Sequence, residues 1–172
     1  LKLNENWVNF DEGRGYIEKD WGRSFPSAYI WFQSNHFHKK GISLKCSIAN
    51  IPWIGRSFTG FIAGLLVNEK IYPFTTYNRS TLKKLVIHEK YSEVIIQNPH
   101  YCLEINIKPD FATPLVSPIR GAMDGRIDES MTSSAEVRLT DKKTGDMILN
   151  KTAGNLALEV AGDTKIIVTN KK

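Results

Sequence analysis

The sequence predicts an all-β protein whose antiparallel strands form a closed or nearly closed barrel, with at most one short helix. Three observations predict this fold. About nine or ten short segments alternate between apolar and polar residues, which is typical of half-buried strands. Glycine, proline, asparagine and aspartate separate these segments, as turns require. No stretch sustains the helical 3.6-residue period. A barrel would protect the strand edges and enclose a cavity.

The composition is that of a soluble globular domain. The chain has 172 residues, of which 41% are hydrophobic and 24% charged, enough for one domain with a core of its own. The net charge is +5, but the lysines are scattered, so no basic stripe suggests nucleic acid as a partner. Attraction to an anionic membrane surface stays open.

Cysteine usage and hydropathy indicate the compartment. Cys46 and Cys102 lie far apart and form no disulfide framework, so we interpret them as buried thiols in a reducing compartment. The longest apolar run, residues 61–67, is far shorter than the ~20 residues of a spanning helix. We therefore expect a cytoplasmic protein with no transmembrane segment, and peripheral membrane contact remains an alternative.

The strands are predicted in order along the chain. Residues 1–14 form an irregular arm. Strands follow, and Pro73 argues that the strand containing it lies at an edge or a bulge. Three prolines in residues 109–118 predict a loop, and residues 119–134 are poorly periodic. Residues 135–140 pair with 147–151 across a glycine-bearing turn. The predicted strands are residues 27–37, 42–51, 57–67, 71–77, 82–89, 93–97, 101–108, 135–140, 147–151 and 155–161.

The stretch that concentrates chemistry is GYIEKDWGRSFP, residues 15–26, which we call the signature segment. Its alternation puts Tyr16, Glu18 and Asp20 on one side, so two carboxylates share that side. One carboxyl group, kept protonated by its charged neighbour and apolar surroundings, could act as a general acid. The alternative is a structural salt-bridge knot.

The strand after it has a face that mixes rings with amides. Tyr29, Trp31, Gln33, Asn35 and Phe37 alternate onto this face. Stacking area with a few hydrogen-bonding groups suits a pocket for a flat, mostly apolar molecule. The alternative is that the rings are ordinary core.

The run GYIEKDWGRSFPSAYIWFQSNHF resembles the signature of the tocopherol cyclase family. That signature has an acid-base-acid-Trp-Gly element, then Phe-Pro, then an aromatic strand ending in Gln-x-Asn-x-Phe. Residues 113–118 and 153–162 resemble elements that follow in the same order. The resemblance implies a lipocalin-like, calycin-like barrel over residues 15–162, between the N-terminal arm, 1–14, and a C-terminal tail, 163–172. Only the family's second half is resembled, so we expect a first-half barrel domain as a partner outside this chain.

The resemblance also implies an activity. Family members close a ring in a prenylated benzoquinol to give a chromanol, without redox change and without a cofactor. This needs a carboxylic acid of raised pKa, ring faces that attract a transient cation, and an apolar channel. From this chemistry we assign the acid to Asp20 or Glu18, with slight preference for Asp20. The remaining assignments are Lys19 to orient a carboxylate or a quinol oxygen, Trp21, Tyr29 and Trp31 as rings, and Gln33 or Asn35 to hydrogen-bond the head group.

Two further points stay open. His36 and His38 are spaced to bind a metal from one strand, but no Cys/His cluster lies nearby, so we expect no metal site. Arg120 and Glu159 could reach the mouth of a pocket, or could be surface charges. The alternative function is a non-catalytic, lipocalin-like carrier of a lipophilic small molecule, which the missing first half favours.

Overall fold

A computed structural model of the chain describes residues 1–20 and 24–169. These residues form one large antiparallel sheet of eleven strands beside a small two-stranded hairpin, so the all-β prediction is confirmed. Helix in the described residues is confined to a 3-10 turn, Thr164–Ile166. The strands are β1 Lys2–Leu3, β2 Asn6–Trp7, β3 Ala28–Ser34, β4 His36–Phe37, β5 Ile42–Trp53, β6 Arg56–Val67, β7 Lys70–Thr75, β8 Thr81–His88, β9 Tyr91–Gln97, β10 Tyr101–Lys108, β11 Ala112–Ile119, β12 Ala122–Asp141 and β13 Met147–Gly162.

The sheet contains two three-stranded meanders, β5 to β7 and β8 to β10, which are joined by the central strands β3, β13 and β12. The hydrogen-bonded order is β7-β6-β5-β3-β13-β12-β10-β9-β8, with β11 also on β12 and β4 also on β13. The predicted strand at residues 101–108 is β10, and the predicted hairpin pairs Ala135 with Ala153 and Thr140 with Met147. Pro73 lies in β7, the end strand of this order, so the prediction of an edge is confirmed.

The proline-rich stretch has a structure that differs from the predicted loop. Residues 112–119 are a strand, β11, although a loop was predicted. Pro114 and Pro118 lack N–H groups, but β11 pairs only with β12 and occupies an edge, where a missing donor leaves no partner unsatisfied. The poorly periodic residues after it form the first half of β12, which pairs with β11 alone as far as Asp128.

The two chain ends also have more structure than predicted. In the arm, β1 and β2 form a short exposed hairpin. In the C-terminal segment, Ile167 is buried. Thr169 donates its backbone N–H to Leu85 O at 3.1 Å, and Leu85 N–H donates to Thr169 Oγ1 at 2.6 Å. Thr169 thus attaches the end of the described chain to β8, while the 3-10 turn lies against β3. No helix in the described residues has the length and apolarity needed to cross a bilayer.

One face of the sheet forms the hydrophobic core. Aliphatic and aromatic side chains from β3 to β10, β12 and β13 bury each other in a single cluster, as the alternating pattern predicts. Cys46 belongs to this cluster, and burial raises the pKa of its thiol to about 12. Cys102 is half-buried. Neither cysteine is in a disulfide.

The pairing of β12 with β13 is irregular at three places, one near the hairpin turn at Leu139/Thr140 and two bulges close together in the middle. On β12, Met131 and Thr132 together lie opposite Ala157. On β13, Gly154 and Asn155 together lie opposite Ser134. Each strand thus contributes one extra residue, and the register on both sides of the irregular stretch is the same.

Candidate functional site

The predicted ring-and-amide face lies on the side of β3 that faces away from the core. Ile30 and Phe32 point into the core, so Tyr29, Trp31 and Gln33 point to the other side. The register places Trp31 between Ser47 and Glu159, and Gln33 between Lys45 and Ala157. Register partners share a face of the sheet, so these side chains surround one another.

Phe37 does not share this face, in contrast to the prediction. It is buried in the hydrophobic core. The reason is that β3 ends at Ser34, and the chain resumes pairing with β13 only at His36, in β4. The break at Asn35 resets the alternation, which a continuous strand over residues 27–37 would have kept.

A cavity of about 590 Å³ opens on this outer face. The paired bulges provide part of its wall through Met131, Thr132 and Asn155. Asn155 has φ of +41°, which is tolerated best by glycine, asparagine and aspartate. A regular sheet is a nearly flat surface, whereas a bulge bends the strand and re-aims its side chains. The other residues that line the cavity are Arg14, Tyr16, Trp31, Gln33, His36, Glu129 and Ala157.

Residues 15–20 of the signature segment run across this face without pairing to the sheet. Arg14 Nη1 donates to Asn35 O at 2.8 Å, and Asn35 Nδ2 donates to Gly15 O at 3.1 Å. The segment alternates as predicted, because Ile17 is 96% exposed while the Tyr16 ring lies 6.5 Å from that of Trp31. Asn35, predicted to hydrogen-bond a head group, therefore uses an amide hydrogen to hold the segment in place.

Glu18 is the anchor of the segment. Tyr16 Oη and Trp31 Nε1 (3.2 Å) both donate to its Oε2, and Lys45 Nζ lies 3.2 Å from its Oε1. Burial opposes its ionisation, but these partners outweigh burial and lower the pKa of Glu18. Glu18 is therefore an ionised acceptor near neutral pH. Lys45 thus forms an ion pair with Glu18 that sequence reasoning did not consider, and the role assigned to the exposed Lys19 stays a prediction.

The other acidic groups of this face have the opposite tendency. Partial burial and the negative charge of Glu18, which also hydrogen-bonds to it, raise the pKa of Asp20. Burial raises the pKa of Glu129. Burial also raises the pKa of Glu159, aided by the charges of Glu129, Glu18 and Asp20, although a 2.9 Å hydrogen bond from Tyr29 Oη opposes it. Several carboxyl groups compete for few cations, so some of them hold protons more tightly than usual.

Gln33 has an unpaired hydrogen-bond donor. The residue is buried, and its Nε2 has no hydrogen-bond partner among the described residues. Buried amide donors are almost always paired, because an unpaired one loses its hydration without compensation. Gln33 lines the cavity, but its Nε2 atom is itself buried, so an acceptor on a bound molecule would reach the N–H groups once the amide turns toward the cavity.

The remaining predicted site residues are distributed as follows. Trp21 lies outside the described residues, so its predicted role stays a prediction. His36 lines the cavity, but residues 1–20 and 24–169 contain no group of three or more His, Cys, Asp or Glu side chains that could hold a metal ion. Arg120 is not at the cavity. It lies at the tip of the β11–β12 hairpin, where its N–H donates to Ser24 Oγ at 2.9 Å.

Sequence reasoning missed Lys45, Glu129, and the bulge residues of the cavity wall. Lys45 occupies the polar side of an alternating strand, which predicts exposure and gives no hint of a carboxylate partner. Glu129 lies in the stretch without periodicity. A signal for the bulge was present, because Gly154 and Asn155 interrupt an otherwise strand-like pattern.

Comparison with known proteins gives one positive result. A family model described as Tocopherol cyclase-like matches residues 1–162. No curated protein and no solved structure matches the chain. The match includes the signature segment, the bulges and every strand that lines the cavity.

Proposed function

This chain belongs to the tocopherol cyclase-like family, and we propose that its outer-face cavity binds a prenylated aromatic quinol and closes the chromanol ring. A carboxylic acid protonates the trisubstituted alkene of the prenyl chain, which leaves a tertiary cation. The phenolic oxygen attacks this cation, a C–O bond forms, and the phenolic proton returns to the carboxylate. The product is an isomer of the substrate, so the reaction consumes no cofactor.

The observation that carries the binding part is the unpartnered Gln33 amide in the cavity wall. A phenolic or quinol oxygen would accept its N–H once the amide turns toward the cavity, and the faces of Trp31 and Tyr16 supply stacking area beside it. The same rings present negative π faces toward a transient tertiary cation. A purely structural role would leave the Gln33 donor unsatisfied.

For the proton donor we assign Glu129, with Asp20 as the second candidate. Glu129 lines the cavity and has a raised pKa, as a general acid requires. Asp20 also has a raised pKa, but it is exposed and does not line the cavity. Glu18, which sequence reasoning also considered, is held ionised by its three donors and positions the signature segment.

We also propose that the sheet curls into a lipocalin-like barrel around the core. Tyr72 of β7 and Tyr101 of β10 are far apart in the strand order, yet their rings meet edge to face at 4.9 Å. Lys70 Nζ donates to Tyr101 Oη at 3.3 Å. These contacts bring one end of the sheet back toward the other, as barrel formation requires. The cavity then lies outside this barrel, since the barrel interior is the hydrophobic core.

A second function, binding without turnover, is favoured by one observation. The cavity opens to solvent beside Arg14 and Tyr16, which are exposed. A tertiary cation formed in contact with water is captured by water, so efficient ring closure needs the cavity to be covered. A domain with this open cavity is suited to carry a lipophilic molecule, and a covering partner would convert it into an enzyme.

The test is a titration of the protein with a short-chain prenyl quinol, followed by tryptophan fluorescence and by chromanol formation. We expect saturable quenching, at least about tenfold weaker affinity in Gln33→Leu, and unchanged affinity in the control Gln97→Leu. Glu129→Gln should keep the affinity and lose on the order of 100-fold in turnover. Saturable binding without any chromanol supports the carrier. No saturable change in the folded protein contradicts both functions.

A further inference from the structure

Two hairpin arms extend from the same end of the sheet. In the first arm, residues 50–60, the ends of β5 and β6 pair only with each other, because pairing with β3 stops at Ala49 and pairing with β7 stops at Ile62. In the second arm, residues 114–128, β11 and β12 likewise pair only with each other. Since β5 and β13 are both antiparallel to β3, both arms lie at the end where β3 begins.

The tips of both arms expose apolar side chains. Trp53 is 65% exposed and Ile54 86%, and on the second arm Ile119 and Met123 are each exposed by more than half. Side chains of this size seldom collect at one end of a protein unless that end meets an apolar phase or a partner.

Ile54 is in addition placed against its conformational preference. Its φ is +41° and that of Gly55 is +74°, so the two form the turn between Trp53 and Arg56. Positive φ at both central residues defines a type I′ turn, for which Asn-Gly or Asp-Gly is favoured. A β-branched residue at positive φ is strained. Ile54 thus weakens the turn and gains no burial, which points to a use outside the fold.

The turns at the tips of both arms carry an arginine. Residues 50–60 contain one charged residue, Arg56, and the tip of the second arm, residues 118–123, contains one, Arg120. Farther from this tip the second arm contains Asp124, Arg126 and Asp128. The chain as a whole carries +5. Tryptophan and isoleucine beside arginine are suited to the boundary between lipid headgroups and acyl chains, where the rings and aliphatic groups insert and the guanidinium groups meet phosphates.

We propose that the two arms dock on the surface of an anionic phospholipid bilayer, with Trp53, Ile54 and Ile119 inserted and Arg56 and Arg120 at the headgroups. This inference does not rest on the ring-closing activity. The two arms give two points of attachment, which fix the orientation of the sheet on the bilayer as a single insertion would not.

The experiment is co-sedimentation of the 172-residue chain with vesicles of phosphatidylglycerol and phosphatidylcholine, without any quinol present. We expect binding that weakens in high salt and a blue shift of Trp53 emission. Ile54→Asn should bind about tenfold more weakly, while its melting temperature stays the same or rises, because Asn-Gly suits the turn. Trp53→Gln, outside the strained position, should also bind more weakly. The control is Ile71→Thr, which removes an isoleucine that is 65% exposed at the other end of the sheet.

Three results would overturn the proposal. The folded wild-type protein could fail to sediment with anionic vesicles. Ile54→Asn and Trp53→Gln could bind as tightly as Ile71→Thr. The arms could instead hold a second copy of the chain, in which case light scattering would show a concentration-dependent dimer that Ile54→Asn disperses, with no vesicle binding.

Discussion

The two faces of β3 have different environments, although their residues alternate along one strand. Ile30 and Phe32 are completely buried in a core where shape and apolar area determine stability. Trp31 and Gln33, on the opposite face, contact a carboxylate and a cavity, and one amide donor remains unpaired. The core face satisfies its side chains within the fold, and the outer face leaves hydrogen-bonding capacity for something else.

This difference separates stability from function residue by residue. Neighbouring positions on one strand should respond to substitution in opposite ways, because adjacent side chains point to opposite faces. The comparison also explains why the outer face tolerates bulges and an unpaired segment. Irregular backbone there disturbs polar contacts that water can replace, whereas the same irregularity on the core face would open a void.

The largest expected effect comes from Phe32→Ala compared with Gln33→Ala. Removing the buried ring should lower the free energy of unfolding by about 3–5 kcal/mol, through lost burial and the cavity left behind. Gln33→Ala should change it by less than about 1 kcal/mol, because its amide nitrogen makes no bond to lose. Urea titration measures both. Equal losses in the two variants would mean that the faces do not differ in this way.

A smaller effect is expected where the signature segment attaches to the outer face. Glu18→Gln removes the ion pair with Lys45 and weakens two further hydrogen bonds, so we expect a loss on the order of 1–2 kcal/mol. The control is Glu93→Gln, which breaks the more exposed pair with Lys84 and should cost at most about 0.5 kcal/mol. A double-mutant cycle of Glu18→Gln with Lys45→Met isolates the pair. A coupling energy near zero would show that the segment is held by other contacts.

The smallest effect concerns Glu159. Its pKa is raised in the folded protein, so the folded state retains a proton that the unfolded state has lost, and stability falls as the pH rises from the usual glutamate pKa through the raised one. Glu159→Gln removes this penalty and can still accept from Tyr29. The variant should therefore match wild type in acid and exceed it at neutral pH by about 1 kcal/mol or less. Melting temperatures across this pH range test it, and a difference that is constant with pH would contradict the titration.

The sequence predicted the strands well where one face is buried. Alternation over residues 101–108 and 42–51 reflects contact with the core, so the pattern and the structure share one cause. The alternating pattern did not predict β11 and the first half of β12. These residues form an arm that makes no contact with the core, so no alternation is imposed on them. The position of Tyr16 and Glu18 over Trp31 agrees with the predicted alternation. The Lys45 partner was not predictable, because it depends on which strand pairs with β3, and alternation does not encode pairing.

The two bulges have a consequence for how related chains can differ. Deleting Thr132 would leave Met131 alone opposite Ala157, so the flanking residues would keep their β13 partners and the core side chains would keep their face. Deleting Asn155 would likewise leave Gly154 alone opposite Ser134. A relative shortened at either position would keep the core and lose part of the cavity wall. Single-residue gaps at these two positions in an alignment would thus mark lineages that kept the scaffold after losing the cavity.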